Sequence, residues 1–426
     1  MITRRHFIRQ TGTALTAAAL LPGSIQGAAE KTGSQLTPAR EIEERVRRAR
    51  PLLGGKIPAN FSRRLGATHY DGHYHLTDKP FLIEGAEKLH ELGMGVAKFW
   101  LREDDLPGYG YNSRLKQALT SGRLVDVMKH EEYVAALALP FTTVMFEVFP
   151  LLGSKQSFFE GENTFADEEE QFYEVAAYLL KTYADRDVTF ILQHWEGDWM
   201  LRRAEGGTWG QVPADEVKRR CDAFIRWLTA RQRGVERARK EAGRTRCRVC
   251  HAAEVNRVWD GTKGLVTLTT HVLPHVTLDL VSWSSYDGMS NVVSIWQGVE
   301  LIRQHMRPSP LFGKNAVYIG EIGKTENDST EAEITEWWDR AMGVFFAMEV
   351  PWIVHWELYC NEPRDGTKSD RRPRKAEEMR GFWLVKPDGS LSYSGKYLTA
   401  LLKHAGQSLP QNLRMHSQRK PTPTRT

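Results

Sequence analysis

The chain has 426 residues, of which 41% are apolar and 26% are charged, and its formal net charge is +5 at pH 7. This composition excludes fibrous and wholly disordered proteins, and the length is enough for one large core or two modest ones. Much of the positive charge lies at the two ends, in arginines between Arg4 and Arg50 and between Arg414 and Arg425. We interpret both ends as solvated, so the charge predicts no nucleic-acid partner.

The first residues have the pattern of an export signal. The pair Arg4 and Arg5 precedes an apolar stretch over residues 14–22, and small residues follow as far as Ala29. This order is typical of a twin-arginine signal, so we predict that residues 1–29 engage the twin-arginine export machinery and that the mature protein is periplasmic or secreted. The apolar stretch is too short to cross a bilayer and no other stretch approaches that length, which predicts no stable membrane span. An amphipathic N-terminal helix is the alternative.

Cys247 and Cys250 have the spacing of a metal-binding or redox CxxC motif. They lie in a strand-like run, however, where a spacing of three residues puts the two side chains on opposite faces, and no second CxxC accompanies them. Because the twin-arginine route moves folded proteins, the four cysteines are expected to be thiols when the chain folds. We therefore predict neither a metal site nor a cofactor.

Beyond residue 62, strand and helix patterns alternate with little interruption. Apolar runs predict eight strands, over residues 64–70, 95–101, 141–149, 188–195, 248–254, 278–286, 316–319 and 351–358. Helical spacing of apolar residues predicts helices over residues 80–92, 126–137, 167–183, 215–242, 292–306, 331–348 and 396–404. Residues 264–276 are rich in Thr and Val and show no clean helical period. The alternation predicts an α/β fold, a single (β/α)8 TIM barrel, rather than an open sheet.

The predicted barrel occupies residues 62–405. A linker or cap segment over residues 30–61 precedes it. Residues 406–426 are polar, basic and contain prolines, so they are predicted to form a disordered tail.

The chemistry of such a barrel lies at the carboxyl ends of its strands, where polar residues end apolar runs. These residues are Lys98, Glu147, Glu196, Glu254, Tyr286, Glu321 and Trp356. A single glutamate in such a place is more often a salt-bridge partner or a helix cap, but the convergence of several on one rim favours catalysis. Two carboxylates that share a scissile bond are what glycoside cleavage requires, one as acid and base and one as nucleophile.

The block YIGEIG at residues 318–323 resembles the strand-seven motif of glycoside hydrolase clan A, the family-5-like retaining enzymes. The resemblance implies that Glu321 is the nucleophile. It extends at lower specificity to GMGVAK, where Lys98 stands in place of the usual arginine, and to the positions of Tyr286 and Trp356. It implies that Lys98 and Tyr286 support Glu321 and that Trp356 is a platform for the sugar.

The acid/base position departs from the clan pattern. The resemblance assigns the role to Glu196, at the end of strand four, but Trp195 precedes it where clan members have asparagine. That asparagine normally contacts the sugar hydroxyl next to the reacting carbon. His194, Gln193 and Asn256 are the candidates to replace it, and the sequence does not choose among them.

Glu254, at the end of strand five, is a rival for the acid/base role. We prefer Glu196 because strand four is where the clan places this residue. The predicted catalytic pair is therefore Glu196 and Glu321, acting on a carbohydrate substrate. The predicted substrate contacts are Lys98, His194, Trp195, Asn256, Tyr286 and Trp356.

The two catalytic carboxyl groups must differ in protonation. One gives a proton to the leaving oxygen while the other is ionised and attacks the anomeric carbon, and a retaining enzyme holds them about 5 to 5.5 Å apart. Lys98 beside Glu321 would favour its ionised form. Trp195 and Trp199 could give Glu196 a drier pocket that keeps it protonated.

Two other functions fit parts of the sequence. His69, His73 and His75 follow strand one and resemble the metal-binding start of the amidohydrolase superfamily, whose barrel activates water with one or two metal ions. That superfamily also needs histidines at the ends of strands five and six and an aspartate at strand eight, which this chain does not offer there. A non-catalytic carbohydrate-binding barrel would keep the aromatic residues, but it would not need the two carboxylates.

Overall fold

The barrel predicted from the alternation of strands and helices is present. The computed structural model describes residues 36–102, 106–115, 122–149, 164–313, 315–367 and 372–416. Within them, eight parallel strands form a closed barrel in chain order, with the last strand hydrogen-bonded to the first. Each predicted strand overlaps one observed strand. The strands are β1 Leu65–Thr68, β2 Val96–Arg102, β3 Thr143–Phe149, β4 Thr189–Gln193, β5 Arg248–Val255, β6 Leu280–Ser284, β7 Val317–Ile322 and β8 Ile353–His355.

The described residues also form thirteen α-helices around the strands. They are α1 Ala39–Ala49, α2 Phe81–Glu91, α3 Leu124–Met128, α4 Glu131–Ala138, α5 Thr164–Thr182, α6 Gly197–Arg202, α7 Ala214–Ala242, α8 Val258–Gly261, α9 Leu268–His271, α10 Val292–His305, α11 Glu331–Ala347, α12 Tyr393–Lys403 and α13 Gln411–His416. Every predicted helix is present, but the one predicted over residues 126–137 is two helices, α3 and α4. Between β5 and β6 the chain forms only short helices, because residues 264–276 lack the apolar spacing of a longer helix.

The long helices of the second half begin at side chains that satisfy free backbone N–H groups. At the start of α11, Thr330 accepts a hydrogen bond from the amide of Glu333, and the carboxylate of Glu333 accepts one from the amide of Thr330, which is a capping box. Asn291 caps α10 and Ser392 caps α12 in the simpler way. These caps fix where the helices begin: α10 and α11 start at the predicted residues, whereas α12 starts at Tyr393 rather than at the predicted residue 396.

The barrel interior is apolar toward the amino-terminal ends of the strands. Side chains from several strands meet there in one cluster, which includes Val96, Met145, Ile191, Cys250, Leu280, Tyr318 and Val354. A second and larger cluster fills the space between strands and helices. Cys250 belongs to the inner cluster and Cys247 to the outer one, as expected for opposite faces of one segment. All four cysteines are buried free thiols.

Toward the carboxyl ends of the strands the interior becomes polar. Side chains alternate along a strand, so a residue two positions after an inward-facing one also faces inward. Two positions after the apolar inner layer, β2, β3 and β4 each carry a completely buried polar or charged side chain. On β5 the residue at that position is Ala252, and the buried charged side chain is that of Glu254, two residues further along. These side chains are Lys98, Glu147, Gln193 and Glu254.

Helix α1 lies against the side of the barrel. Arg50, directly after α1, holds Asp339 of α11 with Nε 2.5 Å from its Oδ2, and the amide of Leu52 donates a 2.8 Å hydrogen bond to Oδ1 of Asp339. The predicted signal at residues 1–29 lies outside the described residues, as do residues 417–426 of the predicted tail. None of the described helices combines the length and the apolar character that a membrane crossing requires.

Candidate active site

Three buried carboxylates surround the ammonium group of Lys98 near the carboxyl end of the barrel. The Nζ atom of Lys98 lies 2.6 Å from Oε1 of Glu147 and 3.3 Å from Oε2 of Glu254. Its distance to Oε1 of Glu321 is 3.8 Å, and it donates a 3.0 Å hydrogen bond to the carbonyl oxygen of Gly320. We call Lys98 and these three glutamates the Lys98 cluster. Lys98 therefore lies beside Glu321, as the sequence predicted.

Hydrogen bonds from the other strands hold the Lys98 cluster in place. Nε2 of Gln193 donates to Oε1 of Glu147 at 3.1 Å and to Oε2 of Glu254 at 2.8 Å. The hydroxyl of Tyr318 donates to Oε1 of Gln193, and the hydroxyl of Ser282 donates to Oε2 of Glu254 at 2.7 Å. Each strand from β2 to β7 thus contributes a side chain to one connected network. Such a network fixes the positions of its members because every change breaks several hydrogen bonds.

Burial and charge together set the protonation of the cluster. Burial by itself would lower the pKa of Lys98, but the three neighbouring carboxylates raise it above its ordinary value. Burial raises the pKa of Glu147 well above its ordinary value; the charge of Lys98 opposes this shift, and the charges of Glu254 and Glu321 add to it. The cluster therefore contains a permanently charged ammonium group, and Glu147 is shifted toward its neutral form.

Ser284 joins Glu196 and Glu321, the two carboxylates that the sequence predicted to be catalytic. Its hydroxyl lies 2.6 Å from Oε1 of Glu196 and 3.4 Å from Oε2 of Glu321, within hydrogen-bond distance of both. The two carboxylate oxygens are therefore at most about 6 Å apart, which is compatible with the about 5 to 5.5 Å between the carboxyl groups of retaining glycosidases. Both glutamates are buried.

Glu196 lies in the turn after β4 rather than at its end. The strand ends at Gln193, and Glu196 precedes α6 with a backbone φ of 23° and ψ of 68°, a region that costs energy for a residue other than glycine. The amide of Glu196 donates a 3.0 Å hydrogen bond to Oε1 of Glu254. Asp198 and Asn256 exchange two hydrogen bonds, of 3.0 Å and 2.9 Å, which tie the start of α6 to the end of β5. These contacts maintain the unusual backbone of Glu196.

Glu254 is already fully occupied as a hydrogen-bond acceptor. Its Oε1 accepts from the amide of Glu196, and its Oε2 accepts from Gln193, Ser282 and Lys98. A carboxylate that accepts four hydrogen bonds from fixed donors has little room left to contact a leaving group. The geometry thus favours Glu254 as a support for the loop that carries Glu196, and it favours Glu196 over Glu254 as acid and base.

His194 requires a correction, because it does not face the barrel mouth. Side chains alternate along the chain, so the inward position of Gln193 turns His194 outward. Its ring lies against Phe224 and Trp227 of α7, with centroid distances of 5.4 Å to each, and burial lowers its pKa to about 3. Its Nε2 accepts a hydrogen bond from the amide of Glu254. This environment is that of a core residue, not of the predicted substrate contact.

The other predicted substrate contacts differ in position. Trp356 directly follows β8 and is 5% exposed, and Trp195 is partly buried. Tyr286 lies in the 3₁₀ helix Ser285–Asp287 after β6, and its ring contacts Phe382 at a centroid distance of 6.3 Å. The side-chain oxygen of Asn256 is used in the link to α6, so its described role is structural.

The histidines after strand one do not form a metal site with the other acidic or histidine side chains described. Nε2 of His69 lies 2.7 Å from the carbonyl oxygen of Phe81, and burial lowers the pKa of His69 to about 4. In the described part of the chain, the one group of three side chains whose ligand atoms lie within 4.8 Å of one another contains no histidine; it consists of Glu147, Glu254 and Glu321. The ammonium of Lys98 already lies among these carboxylates. The arrangement does not favour the amidohydrolase-like reading.

Sequence reasoning missed Ser282, Ser284 and Tyr318. The two serines alternate on β6 with the buried apolar residues Val281 and Trp283. Hydroxyl groups at alternate positions of an otherwise apolar strand were a usable signal of a polar interior face. Tyr318 is part of the YIGEIG block, but nothing in that block indicates that its hydroxyl reaches Gln193 on β4.

A solved structure of a glycoside hydrolase shares this fold. A GH5_18 structure from Bifidobacterium longum subsp. longum has a TM-score of 0.51 and 15% sequence identity, covering 82% of this chain and 80% of that chain. The fold is shared. A GH39 β-xylosidase from Caulobacter crescentus has a TM-score of 0.46 and 13% identity, covering 83% of this chain and 74% of that chain. No protein-family model and no curated protein matches the sequence. The predicted resemblance to clan A is thus confirmed at the level of the fold.

Proposed function

We propose that this protein is a retaining glycoside hydrolase that cleaves an O-glycosidic bond in an oligosaccharide or polysaccharide. The observation that carries the proposal is the pair Glu196 and Glu321, which share the hydroxyl of Ser284 at the carboxyl end of the barrel. The catalytic groups of barrels with this fold lie at that end of the strands. The fold shared with a family 5 structure supports the same class of reaction.

In the first step Glu321 attacks the anomeric carbon of the sugar while Glu196 gives a proton to the leaving oxygen. The nucleophile must be ionised, and the ammonium of Lys98, 3.8 Å from its Oε1, favours that form. A bond forms between Glu321 and the anomeric carbon as the glycosidic bond breaks. The sugar is then held as an ester of Glu321, with inverted configuration.

In the second step Glu196, now ionised, takes a proton from a water molecule that attacks the anomeric carbon. The ester bond to Glu321 breaks and the carboxylate is restored. Two inversions give overall retention of configuration. The hydroxyl of Ser284 lies within hydrogen-bond distance of both carboxyl groups, which supports a spacing short enough for this sequence of steps.

We also propose that the protein is exported by the twin-arginine route and acts in the periplasm or outside the cell. The support is the arrangement of Arg4 and Arg5, the apolar stretch over residues 14–22, and the small residues up to Ala29. A polymeric carbohydrate as substrate is consistent with action outside the cytoplasm.

The test uses activated aryl glycosides of several sugars with the wild type, Glu321→Ala, Glu196→Ala and Glu254→Gln, with product anomers followed by NMR. A matched control is Glu87→Gln, which removes a charge from a surface pair with Lys79. We expect retention in the wild type and full activity in the control. Glu321→Ala should lose turnover by several orders of magnitude.

Azide separates the two catalytic roles because it needs no general base. In Glu196→Ala it should attack the glycosyl ester and give a glycosyl azide of retained configuration. In Glu321→Ala it should replace the missing nucleophile and give the inverted azide. Hydrolysis that survives in Glu321→Ala without azide contradicts the proposal. Sugar binding with no hydrolysis of any glycoside by the wild type also contradicts it, because that is the behaviour of a binding barrel.

A further inference from the structure

Trp100 and Glu147 are neighbours at the mouth of the barrel, beside the catalytic carboxylates. They are direct partners in the register of the parallel strands β2 and β3. Trp100 lies two residues beyond Lys98, so both side chains leave the inward face of β2. A carboxylate oxygen of Glu147 lies within 4.8 Å of one of Glu321. Glu147 therefore lies close to the proposed nucleophile, and Trp100 is its neighbour on the adjacent strand.

Each of these two side chains has a buried polar atom that no described residue hydrogen-bonds. The atoms are Nε1 of Trp100, a donor, and Oε2 of Glu147, a carboxyl oxygen. Trp100 is 8% exposed and Glu147 is not exposed at all. Buried polar atoms in proteins nearly always have a partner, because leaving one unpaired lowers stability. The two proposed chemical steps use neither atom.

The indole of Trp100 is rigidly held. Tyr70 stacks on it with ring centroids 4.1 Å apart and planes 4° apart, and Phe149 stacks on it at 4.9 Å and 16°. Because two aromatic rings already stack on it, Trp100 is not a platform on which a sugar could stack. Its N–H group is the part of the side chain that has no partner among the described residues.

The carboxyl group of Glu147 is held equally firmly through its other oxygen. Oε1 lies 2.6 Å from Nζ of Lys98 and accepts a 3.1 Å hydrogen bond from Gln193. Its second oxygen is thereby held in a fixed position, on the residue that pairs with Trp100. A donor and a carboxyl oxygen are thus preorganised on adjacent strands.

We propose that Nε1 of Trp100 and Oε2 of Glu147 together bind hydroxyl groups of the sugar unit at the cleavage point, and so select substrates in which those hydroxyls are present and unsubstituted. The inference rests on the proposed glycosidase function. A hydroxyl both accepts and donates hydrogen bonds, so it fits an N–H group and also fits a carboxyl group in either protonation state. Neutral sugar hydroxyls are therefore the ligand chemistry that satisfies both atoms at once.

The test compares the wild type with Trp100→Phe, which keeps an aromatic ring between Tyr70 and Phe149 but lacks the N–H. The matched control is Trp338→Phe on α11, where a buried indole donates a 2.9 Å hydrogen bond to Ser394 away from the site. The substrates are an aryl glycoside that the wild type hydrolyses and its set of monodeoxy analogues, each lacking one ring hydroxyl. The readouts are kcat and KM for each pair, and thermal unfolding of the three proteins.

We expect one deoxy analogue to lose roughly 10-fold to 100-fold in kcat/KM with the wild type. With the parent glycoside, Trp100→Phe should show a similar fall in kcat/KM relative to the wild type. With that deoxy analogue the variant should show almost no further fall, because the analogue already lacks the hydroxyl that the N–H of Trp100 would bind. Trp338→Phe should keep the full discrimination of the wild type. Its unfolding midpoint should fall more than that of Trp100→Phe, since only Trp338 loses an existing hydrogen bond.

Three results would overturn the inference. One is an equal loss by Trp100→Phe on the parent and on every analogue, which is what a purely structural role produces. Another is equal destabilisation of the two tryptophan variants, which would show that the N–H of Trp100 is already hydrogen-bonded in the free protein. The third is no hydrolysis of any glycoside by the wild type, which removes the proposed function as well; the first two leave that function intact.

Discussion

Replacement of Lys98 by methionine tests whether one buried cation holds the active site together. Methionine keeps the unbranched apolar stem and removes the charge, so the change is mainly electrostatic. The ammonium lies 2.6 Å, 3.3 Å and 3.8 Å from three fully buried carboxylates. At an effective dielectric constant of about 20, each of these attractions is roughly 4 to 6 kcal/mol, before the cost of removing the charges from water is subtracted.

The net effect is smaller than that sum. Removing one partner of a buried ion pair typically costs about 3 to 5 kcal/mol, because the remaining charges are left uncompensated. We therefore expect Lys98→Met to lose about 3 to 5 kcal/mol of unfolding free energy at pH 7. The control Lys88→Met breaks a surface pair with Glu91, whose side chain is 67% exposed, and it should lose less than about 1 kcal/mol.

The pH dependence of the unfolding free energy of Lys98→Met is a second and independent test of the prediction. Burial raises the pKa of Glu147 and Lys98 opposes that shift, so without Lys98 the folded-state pKa of Glu147 should lie still further above its unfolded value, and the native state binds more protons than the unfolded state between those values. The unfolding free energy then falls as pH rises, and Lys98→Met should recover stability as the pH is lowered from 7 to 5. The assay is urea unfolding followed by tryptophan fluorescence at several pH values. A loss equal to that of Lys88→Met, or a constant difference from the wild type between pH 5 and 7, would refute the reasoning.

Three further changes test other parts of the structure. Ser284→Ala removes the 2.6 Å hydrogen bond to Glu196 and should lower kcat/KM roughly tenfold, the equivalent of about 1.5 kcal/mol, with aryl glycosides; unchanged kinetics would contradict the bridging role. Burial raises the pKa of Asp287 to about 7, so its protonated form stabilises the native state and stability should fall as pH rises from about 4 to 7. The unfolding free energy of Asp287→Asn, measured in urea, should not show this fall. Parallel curves of unfolding free energy against pH for the variant and the wild type would contradict the assignment to Asp287. Burial lowers the pKa of His69 to about 4, so the unfolding free energy should fall as pH falls from about 6.5 toward 4. His69→Gln should reduce that fall, and the same fall in the variant and the wild type would disprove the assignment.

Most of the fold could be predicted from local patterns. Strand and helix periods are properties of short segments, and parallel strands joined by helices have few ways to assemble, so the eight-stranded barrel follows from the order of its elements. The positions of Lys98 and Glu321 at strand ends were readable for the same reason. The pattern was weak at residues 264–276, where the observed helices are short, whereas the helix predicted over residues 126–137 is divided into α3 and α4.

The active site depends on contacts between distant segments, which no local pattern specifies. Alternation along β4 decides that Gln193 enters the network while His194 faces α7, and the turn after that strand brings Glu196 back over the mouth. The register between strands places Ser284 within hydrogen-bond distance of both proposed catalytic carboxylates. A shift of one residue in a strand would turn every side chain to the other face, so these contacts exist only once the whole barrel has closed.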